Sequence, residues 1–300
     1  MGHRIYGSSL VWRGDARPGS EHLRQALSLY NGTEHDKLAY IFSQHPRRTA
    51  ALAHLCLALQ HLGFVDQAMD AGWQAISDAK RIGHFNSIAY SLCFVSLLIM
   101  LRRDVSTLKT TAGELMQLAK QYRASYWALW AKPMLGWIAA QEGNIETGIR
   151  QMHESAESLQ KQNASLWVPQ TLLLEAEILG NTTQYQEAHK LLDAAQALIE
   201  PLDQRFYEAE LHRVRGAVLT AEEPNSPDGM KSLDCAIIVA RRQNSRFLEL
   251  RACVSKARVC RDRGLRDDAR KIVAPVYRWF TEGLDTVDLR EARDFLESLG

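Results

Sequence analysis

Long uncharged apolar runs are missing from this 300-residue chain. A membrane helix needs roughly 18 to 20 such residues, and Ser91 to Leu101 reaches about half that, so it reads as a buried helix. Net charge is nearly absent as well. The 36 Lys and Arg against 35 Asp and Glu leave +1, which gives no global pull toward nucleic acid or an anionic membrane. The five cysteines (Cys56, Cys93, Cys235, Cys253, Cys260) are odd in number and scattered, and no two stand in C-x-x-C spacing. That argues against a disulfide framework or a thiolate zinc site. Their Leu, Val and Ala neighbours suit small buried hydrophobes in a reducing cytoplasm. Met1 to Arg13 lacks the layout of a signal peptide, because charges and glycines interrupt its apolar residues. Ten histidines form no H-E-x-x-H and no other paired metal spacing, and no G-x-S-x-G nucleophile elbow occurs. His54 and His61 share a helix face with no carboxylate between them, so ordinary packing is the simpler account of both. No cofactor is implied.

Strands are equally hard to find. Almost every segment between breakers repeats its apolar residues at i, i+3, i+4 and i+7, the period of an amphipathic helix. Seven helix pairs and a closing helix follow. They are His3–Arg13 with Ser20–Tyr30, Pro46–Leu62 with Val65–Ile82, and Phe85–Leu101 with Val105–Tyr122. Next come Ser125–Glu142 with Ile145–Gln162, then Leu166–Gly180 with Tyr185–Ile199. Last are Gln204–Ala221 with Asp228–Gln243, Ser245–Arg263 with Arg266–Phe280, and Asp285–Ser298 as a cap. Proline and glycine are expected between helices rather than within them.

A forty-residue period organises these pairs. Gly63, Arg103, Gly143 and Thr183 stand at helix-breaking junctions, each followed five residues later by Ala68, Leu108, Gly148 or Ala188. A fixed period of this size marks stacked repeats, each burying its apolar face against its neighbours. The run Leu135-Gly136-Trp137-Ile138-Ala139-Ala140-Gln141-Glu142-Gly143-Asn144-Ile145-Glu146-Thr147-Gly148 shows the unit best. Gly136 and Gly148 let backbones approach, Gly143 supplies a positive φ at the turn, and Ile145 packs back over it. Cys56, Gly63, Val65 and Ala68, then Ala176, Thr183, Tyr185 and Ala188, then Ala257, Gly264 and Ala269 repeat the arrangement. Leu108 departs from the small-residue rule, so looser packing is expected there. The pattern resembles the tetratricopeptide repeat, with a longer period than its standard 34 residues.

A second resemblance is more particular. Ala274-Pro275-Val276-Tyr277-Arg278-Trp279-Phe280-Thr281-Glu282-Gly283-Leu284-Asp285-Thr286 is similar to a motif in the C-terminal tetratricopeptide region of large bacterial proteins that carry a nucleotide cyclase domain and an AAA-type ATPase. So are Arg205-Phe206-Tyr207-Glu208-Ala209-Glu210-Leu211-His212-Arg213 and Ala240-Arg241-Arg242-Gln243. The resemblance implies a sensing or partner-binding arm. It does not carry activity over, because the G-x-x-x-x-G-K-[ST] phosphate loop and the cyclase metal-binding aspartates are missing from this sequence. The chain starts inside what would be an internal repeat, at Arg4-Ile5-Tyr6, so a fragment, a truncated product and a stand-alone relative all stay open.

Two groups of residues are candidates for a binding groove. Of seven tryptophans, Trp127, Trp130, Trp137 and Trp167 fall in the fourth repeat and the start of the fifth. The repeat alignment puts Trp130 and Trp137 on the inner face of a first helix. They either anchor a peptide, as Trp does at interface hot spots, or fill the core. From Arg241 to Lys271, eleven Lys and Arg face four Asp and Glu. Arg251, Arg258 and Arg261 share one helix there, near Glu210 and Arg213 of the preceding unit, with Glu177 one unit earlier. This stretch docks an acidic peptide, contacts a phosphate, is solvated, or is satisfied between adjacent repeats. Poor aromatic interleaving and the lack of a helix-turn-helix weigh against nucleic acid.

The expectation is therefore an all-α, right-handed superhelical solenoid of about seven tetratricopeptide-like pairs plus a C-terminal capping helix. It is one domain over residues 1–300 with a looser linker around 31–45, cytoplasmic and non-enzymatic. It would bind a protein or peptide partner, including ATPase or cyclase domains of the same or another chain. The alternative is a small-molecule sensor built on the middle tryptophans.

Overall fold

The computed structural model describes residues 1–32 and 47–300. Among these residues there are fifteen α-helices, two short 3-10 turns and no strand. In chain order the helices are α1 (Gly2–Trp12), α2 (Ala16–Ser28), α3 (Arg47–Leu62), α4 (Val65–Ile82), α5 (Phe85–Leu101), α6 (Val105–Gln121), α7 (Ser125–Gln141) and α8 (Ile145–Lys161). They continue as α9 (Val168–Asn181), α10 (Tyr185–Ile199), α11 (Glu208–Glu222), α12 (Pro227–Arg242), α13 (Arg246–Asp262), α14 (Arg266–Tyr277) and α15 (Val287–Ser298). Odd-numbered helices up to α13 open a hairpin and even-numbered helices close it. The chain divides into two compact units, Met1–Gln151 and Met152–Gly300. Most of the expected linker, with His35, His45 and Pro46, lies outside the described residues. No described helix is long and apolar enough to cross a membrane.

One turn recurs throughout. Positive φ falls at Gly63, Gly83, Arg103, Arg123, Gly143, Asn163, Thr183 and Asp203, twenty residues apart each time, and again at Asn244 and Gly264. In all of these except Gly83, the next residue donates its backbone N–H to a carbonyl five residues back. Examples are Phe64 to Leu59 at 2.9 Å, Asn144 to Ala139 at 2.8 Å and Gln184 to Leu179 at 2.9 Å. This is the Schellman closure, which satisfies a helix's last carbonyls and reverses the chain in three residues. Glycine takes that conformation freely. Arg103, Arg123 and Thr183 take it at a cost of roughly 1–2 kcal/mol, which the packing on either side of each turn offsets. The series lapses at Glu223, which is extended, φ −131°, where Pro224 to Ser226 lengthen the connection.

Within each hairpin the two helices approach closely. A Cβ at Gly148 would lie 2.5 Å from the Gly136 carbonyl oxygen and 2.8 Å from the Ala140 Cβ, so α7 and α8 touch backbone to side chain. Leu108 at the equivalent site is fully buried. In the first hairpin the contact is made by Gly7 and Gly19; a Cβ on Gly19 would sit 3.0 Å from the Gly7 oxygen. This corrects one boundary. Gly19 lies inside α2, which starts at Ala16 rather than Ser20, because Pro18 sits in the first turn where its missing N–H is harmless. Pro133 and Pro275 also lie within helices, α7 and α14, each at the loss of one ladder bond. The sixth pair opens on a 3-10 turn, Arg205–Tyr207, whose Phe206 and Tyr207 are fully buried.

Gly148→Leu is expected to overpack the α7–α8 crossing and lower unfolding free energy by roughly 1–3 kcal/mol. Urea denaturation checks this, and unchanged stability would reject the repeat register.

Candidate functional site

The same repeat position carries different chemistry along the chain. Tyr90, Trp130, Gln170 and Glu210 are forty residues apart, and Arg251 follows after forty-one. Seven residues further along each first helix stand Leu97, Trp137, Glu177, Ala217 and Arg258. In the first unit these rows hold Tyr90, Trp130 and Trp137 beside Leu97; in the second they hold Glu177, Glu210, Arg251 and Arg258 beside Gln170 and Ala217.

In the second unit the ionic residues form one chain of contacts. Arg213 on α11 donates from Nη2 to Glu177 Oε1 on α9 at 2.6 Å, and from Nε and Nη2 to the two oxygens of Glu210 at 2.9 and 2.7 Å. Arg251 on α13 donates from Nη1 to Glu210 Oε1 at 2.9 Å and from Nε to Asp288 Oδ1 on α15 at 2.9 Å. The series Glu177–Arg213–Glu210–Arg251–Asp288 thus ties together the first helices of three consecutive hairpins and the final helix. Side chains of Arg213, Glu210, Arg251 and Asp288 are 9% exposed or less. Burial opposes the charge on Arg213, but Glu177 and Glu210 outweigh it and hold its pKa well above the ordinary arginine value. Three carboxylates and two guanidiniums leave this ladder one negative charge in formal terms.

Several cations of the basic stretch have partners in the structure. Arg258 pairs with Glu291 at 3.0 Å. Arg261 pairs with Asp262 and covers the Phe295 ring at 5.4 Å. Arg241 and Arg246 share the buried carboxylate of Glu249, both at 2.7 Å, and Arg242 reaches Glu208 at 2.7 Å. Lys256 bonds Asp234, and Arg263 donates to the Pro224 carbonyl. Glu249 and Asp262 belong to the stretch itself, while Glu208, Asp234, Glu291 and the Pro224 carbonyl come from other segments. Asp288 and Gln170 were not among the sequence candidates. Asp288 stands thirty-seven residues after Arg251 and so falls out of register, whereas Gln170 follows the forty-residue rule and could have been found by it.

The tryptophans fall on the core side of their two alternatives. Trp127, Trp130 and Trp137 are 8%, 5% and 3% exposed, and the Trp127 indole N–H donates to Asn86 Oδ1 at 3.1 Å. Around them the first unit builds an aromatic cluster. Tyr90 stacks on Phe94 with centroids 4.4 Å apart, His54 lies 4.7 Å from Phe94, and Tyr126 meets both Trp127 and Trp130 edge-on. His54 Nδ1–H donates to the Ala50 carbonyl at 2.9 Å, and the Tyr90 hydroxyl is 3.3 Å from the same nitrogen. Burial lowers the His54 pKa to about 4, so its imidazole is neutral at physiological pH. A separate cavity of about 420 Å³ in this unit is lined by Leu27, Leu52, Leu55 and Leu59 together with polar residues, Arg24 and Asp70 contributing one charge of each sign. Among the described residues no group of three or more His, Cys, Asp or Glu could hold a metal ion.

These features define the chain as an all-α, tetratricopeptide-like helical repeat. Two solved structures share that fold. The apo form of RapI matches with a TM-score of 0.56 at 11% identity, over 99% of this chain and 98% of that one. Yeast Tom70 matches with a TM-score of 0.50 at 12% identity, over 94% of this chain and 60% of that one. No protein-family model matches the chain. In sequence it is similar to the uncharacterized protein R02095 of Rhizobium meliloti (strain 1021), 24% identical over 240 residues. That match takes in 80% of this chain but only 23% of the relative, so the chain spans about a quarter of its length.

Two stability tests follow. Removing one member of the buried ladder strands its partners, so Arg251→Met is expected to cost about 3–5 kcal/mol, whereas Arg258→Met, at a half-exposed pair, should cost about 1 kcal/mol or less. Equal losses in urea titrations would contradict the ladder. Glu175 on α9 gives the second. Its side chain is 1% exposed, and burial raises its pKa from 4.5 to about 8, although His153 Nδ1 lies 3.4 Å away on a half-exposed side chain. The folded state therefore keeps a proton that the unfolded chain releases, and stability should fall as pH rises from about 4.5 to about 8. Glu175→Gln is expected to flatten that fall; an unaltered pH profile would refute the assignment.

Proposed function

We propose that this chain is a non-catalytic interaction module that binds a peptide or protein domain along the first helices of its hairpins. We further propose that it acts as the cytoplasmic sensing or regulatory arm of a bacterial signalling protein of the ATPase or cyclase type. The observation that carries the interaction reading is the architecture itself. Stacked hairpins repeat one position every forty residues and change its chemistry from repeat to repeat, which suits recognition of an extended partner. The long Rhizobium relative, matched over only part of its length, supports the reading as an arm attached to other domains. The C-terminal motif Ala274 to Thr286 supports the cyclase and ATPase context by resemblance alone. A partner that prefers one arrangement of the repeats would shift the array toward it, and differential binding would supply the coupling energy. Burial of Trp127, Trp130 and Trp137 favours a macromolecular partner over a metabolite held among the indoles.

Affinity capture from the source cell, run in parallel with wild type and a Tyr126→Ser variant, tests this. The expected result is a partner that co-purifies with wild type in near-equimolar amount, carries an ATPase or cyclase domain, and is reduced at least several-fold with the variant. Recovery of nothing beyond the bait would overturn the proposal.

A further inference from the structure

In the unit Met1–Gln151, helices α2, α3 and α4 each turn one face to the cavity of about 420 Å³. On α3, Leu52, Leu55 and Leu59 recur at i, i+3 and i+7 and form its base, each 5% exposed or less. On α4, Gln67, Asp70, Ala71 and Gln74 keep the i, i+3, i+4, i+7 spacing of a single helix face. On α2, Arg24 and the half-buried Leu27 stand one turn apart and supply the remaining side. All four polar lining residues are exposed, whereas the α3 leucines are not. The cavity is therefore apolar at the bottom and polar at the rim. Ala71 keeps it open: the same register holds Thr111, Gln151 and Leu191 in the hairpins that follow, and a side chain of their size at 71 would enter the space. Arg24 and Asp70 bring one charge of each sign to the rim from different helices, and among the described residues neither is in an ion pair. Close-packed proteins leave few voids of this size. Ligand sites do have it, at about 300–1,000 Å³, with apolar walls and a few convergent polar groups.

We propose that this cavity binds a free amino acid with a large apolar side chain, its carboxylate on Arg24, its ammonium on Asp70 and its side chain against the α3 leucines. Rim and base together select that chemistry. A fatty acid would satisfy Arg24 but set a like charge beside Asp70, and an alkylamine would do the reverse. A sugar would leave the leucines wet. A free amino acid carries both charges on one carbon, with the apolar group beside them, so each wall of the cavity meets its complement. Charges at an exposed rim are screened by solvent, so binding is expected in the high-micromolar to millimolar range and weaker at high salt. The bound molecule joins α2 to α4, which close successive described hairpins, and so favours the arrangement that holds those two helices together. This gives the array a small-molecule input separate from the first helices. It goes beyond the interaction reading and does not depend on it.

Equilibrium dialysis of the full chain against radiolabelled L-leucine and, separately, L-phenylalanine tests this. The expected result is saturable binding of one equivalent of at least one of them. The corresponding acid and amine, which each lack one charge, and glycine, which lacks the side chain, should compete at least ten-fold less well. Arg24→Gln and Asp70→Asn should each weaken binding at least five-fold, and Ala71→Leu should abolish it by filling the cavity, whereas Arg258→Gln should change nothing. Circular dichroism melts identify any variant that fails to fold, and the exposed Arg24 and Asp70 keep the test open if Ala71→Leu does. Competition by the acid equal to that by the amino acid, with binding unaltered in Asp70→Asn, would assign the cavity to a carboxylic acid and overturn the proposal. So would binding that survives both Arg24→Gln and Asp70→Asn, since the ligand would then sit elsewhere. No saturable binding of either amino acid overturns it too, and leaves the interaction reading, which concerns the first helices, untouched.

Discussion

Everything in the array depends on reversing the chain in three residues at a fixed interval. The left-handed turn residue and the carbonyl five positions before its successor define where each helix stops. Because successive turns from Gly63 to Asp203 are twenty residues apart, the helices between them run to similar lengths and the hairpins keep nearly the same register. Register is what lets Gly136 meet Gly148 and Gly7 meet Gly19 at backbone distance. Without a constant period, small residues would not line up with small residues, and the hairpins would stand apart by a side chain's width. The turn itself tolerates Arg, Asn, Thr and Asp, at a modest cost that the packing on either side absorbs. Glycine is not required at the turn. It is required at the crossing, where another backbone occupies the space of a Cβ.

Given that scaffold, the two units spend equivalent positions differently. In Met152–Gly300 the row that includes Glu210 and Arg251 is closed on itself by ion pairs running from helix to helix. Such pairs are costly to bury and more costly to break, so they lock neighbouring hairpins in one register and leave little charge to offer a guest. In Met1–Gln151 the corresponding row holds Tyr90 and Trp130, and cohesion comes from stacked and edge-on rings. Rings pack without demanding an opposite charge, and among the described residues Arg4 beside them has no ion pair.

The sequence reveals the helices well because each carries an amphipathic period and each turn a breaker; Val65–Ile82, Phe85–Leu101 and Tyr185–Ile199 are read to the residue. It is less informative at Gly19 and Pro18, where residues that usually break helices serve a crossing and a first turn instead. The forty-residue register also finds Glu177, Glu210, Arg213 and Arg251 as neighbours. It does not say whether such a set faces a partner or itself, because that depends on where carboxylates from other helices arrive. Asp288 shows why: it completes the ladder from a helix that has its own register, so no period points to it. The tryptophans are ambiguous for a related reason. A large ring on an inner helix face reads the same whether the neighbouring helix leaves it open or covers it.

Electrostatic accounting separates these cases better than residue type does. A cluster of arginines suggests an acidic ligand only until the surrounding carboxylates are counted, and between Arg241 and Lys271 most of those come from outside the stretch, including Glu208, Glu210, Asp234, Asp288 and Glu291. The opposite signal, four consecutive first helices without one carboxylate, looks bland in composition because the chain as a whole is nearly neutral. Yet a missing sign cannot be supplied from within those helices. Second helices and turns do reach one of their cations, since Asp78 holds Arg48, but among the described residues nothing pairs with Arg4.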